Sequence, residues 1–369
     1  MSALPSPVVP SDSQIKVISS CIRRPESFDL TSAALVESNS TPKDGDVVLV
    51  RCLDDKGAYD TVEDWRGVGV KLGRGDVFVG VLGTRRSGTK LTGVVPTGTV
   101  KCGDRLDLIA IGGQVAQATS KARYAAAQAL PLEVVGFFSG PRGKIANIAD
   151  ARIVEPSRSP EAFDPARIFV VAGTSAEAGK TTFVCNFNIG LKKVKPGLKT
   201  AAIKACGTGR PKDSMVHRRA NYDTVVDFVD AGWPTTYAIG ADDYLKLLSG
   251  MLRYALAKAE IVVVELGGDF LDARAPEALS YLMGMGARCG MVVNDAMGAL
   301  EGMRRLRAMG ANPFAVSCFQ QNLFAMAQRL EMPEERVMDS KDDEAMERLA
   351  RAFLKGEDLE LMPPLPCVA

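Results

Sequence analysis

Arg167-Ile-Phe-Val-Val-Ala-Gly-Thr-Ser-Ala-Glu-Ala-Gly-Lys-Thr-Thr182 joins a short apolar run to a glycine-bounded loop and the start of a helix. Ile168 to Ala172 has the unbroken apolar character of a parallel strand buried on both faces. Thr181, Thr182, Phe183, Val184, Phe187 and Leu191 follow with the spacing of a helix that has one apolar face. Between them the backbone must turn sharply. Gly173 and Gly179 permit that turn, and successive N–H groups then point inward, where the helix N-terminus adds partial positive charge. The stretch therefore reads as a phosphate-binding loop made of Gly173, Thr174, Ser175, Ala176, Glu177, Ala178, Gly179, Lys180, Thr181 and Thr182. Lys180 would bring a point charge to the β- and γ-phosphates, and the Thr181 hydroxyl a ligand for Mg²⁺. The usual motif has four residues between its glycines; Thr174 to Ala178 makes five.

At 369 residues the chain has room for two domains. A net charge of +1 and few aromatic residues point away from nucleic acid and from membrane surfaces. No run approaches the ~20 apolar residues of a membrane span. Met1 to Ile15 lacks a basic region followed by an apolar core, so no secretory signal is expected and the chain is read as cytoplasmic. None of the eight cysteines falls at Cys-x-x-Cys spacing, and His217 is the single histidine. Neither a zinc site nor a disulfide framework is expected, and the cysteines suit small buried hydrophobes in a reducing compartment.

Residues 1–14, rich in Pro and Ser, read as a flexible tail. From 15 to 154, short β-branched runs such as Asp46 to Arg51, Asp76 to Leu82, Arg105 to Ile111, Leu132 to Phe137 and Ile145 to Ile148 alternate with Gly and Asp turns. They predict a β-rich barrel or sandwich, interrupted by one helix over Gln117 to Ala129. This part is either a structural or dimerisation module or a cap over a substrate. Residues 155–166 carry three prolines and form the linker. From 167 to 340, strand candidates at Ile168 to Ala172, Thr200 to Ile203, Ile261 to Val264, Gly290 to Val293 and Phe314 to Cys318 alternate with amphipathic helices. One of these helices carries Tyr244, Leu247, Leu248, Met251, Leu252, Ala255 and Leu256 as a core-facing stripe. The fold class is α/β, a mainly parallel P-loop-type sheet with flanking helices, preceded by the smaller β-rich domain. Residues 341–369 read as a charged surface helix, Asp342 to Leu354, and a Pro-rich tail.

Ligands of open parallel sheets lie beyond the carboxyl ends of the strands, so the residues after each apolar run matter most. Lys204 follows one, then Cys206-Gly-Thr-Gly-Arg210 and Lys212, a basic loop suited to an acidic substrate or a terminal phosphate. Glu265 ends Ile261-Val-Val-Val264 where a metal-holding carboxylate would stand opposite Thr181, with Gly267-Gly268 behind it. Asp223 and Asp227, four apart, could share a helix face and offer a second metal ligand. His217, beside Arg218 and Arg219, reads as part of a surface cluster. Arg210, Lys212 and Arg274 are candidates for gripping an anionic substrate. Asn294-Asp295 and Gln320-Gln321-Asn322 are placed for base-edge contacts.

Gly173 to Thr181, Lys204 with Gly207, Asp223, and Val262-Val-Val-Glu-Leu-Gly-Gly268 together resemble dethiobiotin synthetase and its relatives, the cobyrinate amidase and MinD-like P-loop proteins. Lys204-x-x-Gly-Thr-Gly-Arg210 and Asp227-Phe-Val-Asp-Ala-Gly232 are also similar to the DUF1611 family, which includes enzymes acting on N-acylated acidic amino acids. The likeness spans residues 167 to 330. It implies phosphate binding by Lys180, substrate or γ-phosphate contact by Lys204 and Gly207, Mg²⁺ held by Thr181, Asp223 and Glu265, and a homodimer. Ser175-Ala176 stands where dethiobiotin synthetases usually carry Asp-Thr, and Asp269 to Arg274 replaces their substrate loop. The expected function is an ATP-dependent or GTP-dependent, Mg²⁺-requiring enzyme that activates a small carboxylate or carbamate by phosphoryl transfer, for ligase-type bond formation or as a kinase. Its substrate would be small and anionic or amino-acid-like. The alternatives are a nucleotide-switched binding or delivery protein with the β-rich domain as its docking module, and a nucleotide-binding fold used for acyl transfer or isomerisation.

Overall fold

Val47-Val-Leu-Val-Arg-Cys52 and Val77-Phe-Val-Gly-Val-Leu82 are β-branched and apolar enough to sit inside a sheet, and they pair antiparallel in the computed structural model of the protein. The structure describes residues 15–31, 34–36, 41–125 and 127–357. Two compact units divide them. The first comprises the described residues up to Pro156 together with Gly207–Lys212 and Asp227–Leu247; the second comprises Ser157–Cys206, Asp213–Val226 and the residues from Leu248 onward.

Ten strands belong to the first unit: β1 (Ile15–Ile18), β2 (Leu35–Val36), β3 (Val47–Cys52), β4 (Thr61–Glu63), β5 (Gly69–Lys71), β6 (Val77–Leu82), β7 (Leu91–Val94), β8 (Arg105–Leu108), β9 (Gln114–Lys121) and β10 (Leu130–Phe138). The order β6-β3-β10-β8-β9 closes on itself because β9 also pairs with β6, which makes a small barrel. Val48, Val50, Phe78, Leu106, Leu108, Val115 and Leu132 fill it. The helix expected over Gln117 to Ala129 is absent from the described residues of that stretch. Gln114–Lys121 is a strand, paired with β8 and β7, and long-range pairing overrides the helix propensity of its alanines. The strand expected at Ile145 to Ile148 is reduced to two isolated bridges, at Ile145 and Asn147, followed by a 3-10 turn, Ile148–Ala151, that Asn147 caps.

Buried polar contacts hold the two later segments in this unit. The Gln114 Nε2 group donates to the carbonyls of Gly209 at 2.6 Å and Pro234 at 3.2 Å. Arg23 pairs with Asp227 at 2.5 Å and Arg24 with Asp230 at 3.1 Å. A side chain at Gly112 would stand 2.1 Å from the Gly209 carbonyl, so only glycine admits that approach.

The other sheet has seven strands, β11 (Ile168–Gly173), β12 (Thr200–Lys204), β13 (Thr224–Asp227), β14 (Ile261–Glu265), β15 (Arg288–Val292), β16 (Pro313–Ser317) and β17 (Val337–Met338), in the order β13-β12-β14-β11-β15-β16-β17. The pairings β12–β14, β14–β11, β11–β15, β15–β16 and β16–β17 are parallel. Chain order reverses across β11, so the crevice at its carboxyl end is the topological switch point, and the glycine-bounded loop emerges there. Seven helices accompany the strands among the described residues: α1 (Lys180–Val194), α2 (Pro211–Arg219), α3 (Ala241–Leu256), α4 (Ala275–Gly284), α5 (Ala296–Ala308), α6 (Leu323–Leu330) and α7 (Asp343–Leu354). None is long and apolar enough to cross a membrane.

Two expectations are corrected here. Asp223 and Asp227 do not share a helix face, because β-branched Thr224-Val-Val226 makes that stretch β13. The C-terminal helix exposes charge on one side only: Ala345, Met346, Leu349, Ala350 and Phe353 of α7 are buried. The Phe353 ring meets Phe169 edge-on at 5.3 Å and Phe187 at 5.8 Å, and α7 packs on α1 at Gly190, where a Cβ would stand 2.7 Å from the Met346 carbonyl. The tail from 358 lies outside the described residues, as do residues 1–14.

Candidate functional site

The loop between β11 and α1 is shaped by its lysine. A Cβ at Gly173 would lie 2.9 Å from both Cγ and Cδ of Lys180, because that side chain crosses directly over the glycine. Gly179 has φ +103°, left-handed backbone that glycine alone adopts freely, and a Cβ there would stand 2.8 Å from the Phe319 ring. The Lys180 ammonium donates to the carbonyls of Ser175 at 2.7 Å and Gly268 at 2.5 Å. The Asn294 amide donates to the Ser175 hydroxyl at 2.9 Å and the Thr174 N–H to the Val292 carbonyl at 3.0 Å, fastening the loop to the end of β15. Ala178 is buried, whereas Ala176 and Glu177 are exposed at the loop's outer bend. Thr181 and Thr182 open α1, whose free N–H groups face the loop.

Glu265, at the end of β14, is the hub and is only 1% exposed. Its Oε1 accepts from the Thr181 hydroxyl at 2.8 Å and the Lys204 ammonium at 2.6 Å; its Oε2 lies 2.7 Å from His217 Nε2. Lys204 has a second carboxylate, Asp213 Oδ2, at 3.0 Å. Asp213 and His217 are four apart on α2, so one turn of one helix supplies a partner to each member of the Lys204–Glu265 pair. The imidazole is fully buried and lies edge-on to Tyr222 at 6.0 Å, and the Tyr222 hydroxyl donates to the Val184 carbonyl of α1 at 2.8 Å.

Burial pushes the Glu265 carboxyl up, but the Lys204 charge and the His217 hydrogen bond outweigh it and hold the group well below the usual glutamate range. Glu265 is therefore ionised and can only accept, so His217 Nε2 carries the proton of their bond. Burial pulls Lys204 down, yet Asp213 and Glu265 together hold it well above the usual lysine range. The Lys180 ammonium donates to carbonyl oxygens; burial first, and the Lys204 charge second, bring it down to about 8.

Thr181 and Lys204 thus meet on Glu265, and Lys180 bonds the carbonyl of Gly268, three residues further on. The other sequence candidates have different partners. Asp223 stands at the start of β12 and β13, the end opposite the loop, where it pairs with Lys192 at 2.5 Å and Lys199 at 2.9 Å and accepts from the Thr200 N–H. That placement removes it from a metal set with Thr181 and Glu265. Gly207, Arg210 and Lys212 fold with the β-rich unit, where the Gly207 N–H donates to Thr236 and Arg210 pairs with Glu63 at 2.5 Å. Arg274 pairs with Glu277 at 2.6 Å where α4 begins. His217 is the residue that sequence reading placed wrongly. Arg218 and Arg219 are exposed, but the helical step turns His217 inward onto the face of Asp213.

For Mg²⁺ the donor chemistry fits, with Asp213 in place of Asp223. Thr181, Glu265 and Asp213 offer oxygen, and the Lys204 ammonium, held between two carboxylates, marks a place where positive charge is stabilised. Among the described residues no group of three or more His, Cys, Asp or Glu forms a metal cage, so phosphate and water oxygens would complete the coordination.

No family model matches the chain, and no curated protein does. Several solved structures are similar to about half of it. The MinC:MinD cell division protein complex of Aquifex aeolicus covers 53% of this chain and 99% of its own at 15% identity, with a TM-score of 0.37. HypB from Helicobacter pylori in complex with nickel covers 52% of this chain and 87% of its own at 14% identity, with a TM-score of 0.35. A ParA family ATPase from Chlorobium tepidum TLS covers 52% and 93% at 11% identity, with a TM-score of 0.30. Similarity this low assigns no function here; strand order and loop geometry describe the fold on their own.

Proposed function

We propose that the loop from Gly173 to Thr182 binds the phosphates of ATP or GTP, and that the protein transfers a phosphoryl group to a small carboxylate or carbamate, activating it for attack by an amine. One observation carries this reading: Lys180 crosses Gly173 while the next residue, Thr181, bonds Glu265 at 2.8 Å, so loop, lysine, hydroxyl and carboxylate form one constellation. Phosphoryl transfer asks the protein for alignment and charge compensation rather than covalent chemistry. The backbone N–H groups of the loop and of the first turn of α1 would hold the phosphate oxygens. Lys180, whose ammonium donates to the Ser175 and Gly268 carbonyls, would bring its charge to the terminal phosphates. Lys204, kept charged by its two carboxylates, would stand between the transferred group and an anionic substrate. Thr181, Asp213 and Glu265 would hold Mg²⁺, which when bound neutralises charge on the phosphate oxygens. Arg274 remains a candidate for the substrate's own charge.

The test is a thermal-shift and titration-calorimetry comparison of ATP, GTP and ADP with Mg²⁺ on the wild type and on Lys180→Ala. Stabilisation by one nucleotide that the variant loses supports the site, and phosphate release on adding small carboxylic acids would then identify the acceptor. If no nucleotide stabilises the wild type, the reading fails.

A further inference from the structure

We propose that His217 is a positioning residue for Glu265: it ties down the rear oxygen of that carboxylate so that the other oxygen is presented, in one orientation, to Thr181, Lys204 and a bound cation. The inference rests on the nucleotide-binding reading and adds to it a residue outside the loop motif.

A carboxylate at a strand end ordinarily turns about its last side-chain torsion, which is broad and two-fold. Glu265 has no such freedom. Oε1 receives the Thr181 hydroxyl and the Lys204 ammonium from α1 and β12, and Oε2 receives His217 Nε2 from α2, on the far side. Of the three donors, Thr181 and Lys204 already have roles in the proposed nucleotide site. His217 is fully buried, and its Nδ1 finds no hydrogen-bond partner among the described residues. Among the described residues the imidazole's one hydrogen bond is to Glu265. A buried imidazole with an unsatisfied nitrogen is destabilising on its own account, and a leucine or phenylalanine would fill the space among Tyr222 and its neighbours without that penalty. What an apolar residue cannot supply is an N–H to an ionised carboxylate.

The histidine is itself held still. Its ring packs edge-on against Tyr222, whose hydroxyl is bonded to Val184, and Asn188 donates to the Ala220 carbonyl at 2.8 Å where α2 ends. Both anchors come from α1, the helix that begins with Lys180 and Thr181. Donor and acceptor are thereby referred to the same rigid element as the phosphate loop, which is how a supporting residue sharpens a binding geometry.

The experiment measures ATP affinity by calorimetry in EDTA and in Mg²⁺, for the wild type, His217→Phe and His217→Gln, with melting temperatures alongside. In the wild type, Mg²⁺ should tighten binding at least tenfold. His217→Phe should bind ATP in EDTA within about twofold of the wild type yet lose most of the Mg²⁺ enhancement, and His217→Gln, whose amide N–H can reach the same oxygen, should recover it. Because His217 is the single histidine, ¹⁵N-histidine-labelled wild-type protein (with any purification tag removed) shows one imidazole by NMR. Its Nε2 resonance should move when Mg²⁺ joins bound ADP and stay put when ADP binds in EDTA. That arm holds even if the phenylalanine variant does not fold. Full Mg²⁺ enhancement in His217→Phe, or an imidazole indifferent to Mg²⁺, overturns the positioning role. ATP binding by the wild type that is equal in EDTA and Mg²⁺ also overturns it while leaving the nucleotide reading intact. No ATP binding in either condition removes both.

Discussion

His217 Nε2 and Glu265 Oε2 lie 2.7 Å apart, both buried, while Lys204 and Thr181 occupy the other oxygen of the same carboxylate. The folded protein thus favours the ionised form of Glu265, whose pKa is held below its ordinary 4.5. The stability this adds is fully present above about pH 4.5 and drains away as pH falls toward the folded-state value. Glu265→Gln leaves Lys204 and His217 facing a neutral group, and should lower stability at pH 7 by about 3 kcal/mol. Urea melts at pH 7, 4.5 and 3.5 should show the gap between variant and wild type shrinking across the last step. A gap that is constant with pH would place the carboxylate's contribution elsewhere.

Lys180 is also depressed, but here the folded protein favours the neutral form. Burial sets it near 8 against 10.5 in an unfolded chain, so the unfolded state binds more protons between those values, and this group makes the ligand-free protein more stable as pH rises through that window. Phosphate binding needs the ammonium, so ATP affinity should fall at least tenfold between pH 7 and pH 9.5. Lys180→Arg stays charged and should flatten that dependence even if it binds more weakly. Affinity in the wild type that is level across the range would mean the lysine does not meet the phosphates.

How far the sequence carried this reading depends on the range of the contacts involved. The β11 loop was legible because strand, glycines and helix start are local, and Gly173 and Gly179 have local reasons to be glycine. Glu265 was legible because a carboxylate after four β-branched residues ends up at the strand's carboxyl end. Asp223 and His217 were misread for one reason: the direction each side chain takes depends on whether 221 to 227 is helix or strand, and on which face of α2 is covered. The covered face belongs to Glu265, 48 residues further along the chain. The helix expected over Gln117 to Ala129 failed for the same cause, since β9 is made by pairing with β8 and β7 rather than by its own alanines.

Gly173→Ala separates the loop's geometry from the protein's stability. The added methyl would enter the space of Lys180 Cγ and Cδ at 2.9 Å, and a flexible side chain can move aside, so the fold should survive with a melting temperature within about 2 °C of the wild type. The lysine, however, would no longer cross the glycine toward Gly268. ATP affinity should fall at least tenfold by calorimetry, and a variant that binds as tightly as the wild type would show that the crossing is incidental.

The helix behind the loop invites the complementary test. Phe353 reaches from α7 into the ring cluster of Phe169 and Phe187, one ring on β11 and one on α1, and is 2% exposed. Removing that ring leaves a cavity between rigid elements that cannot close over it, so Phe353→Ala should cost about 3–5 kcal/mol in urea unfolding. Gly190→Ala should also destabilise, by about 1–3 kcal/mol, because its methyl would meet the Met346 backbone carbonyl at 2.7 Å and neither helix can yield without shifting the other. The two changes act on one helix contact from opposite directions, one emptying it and one overfilling it, so combining them should give less than the sum of their separate effects. Full additivity would mean that α7 does not respond to α1 as a packed unit. Nucleotide affinity per folded molecule should be nearly unchanged in either variant, because neither residue touches Lys180, Thr181 or Glu265.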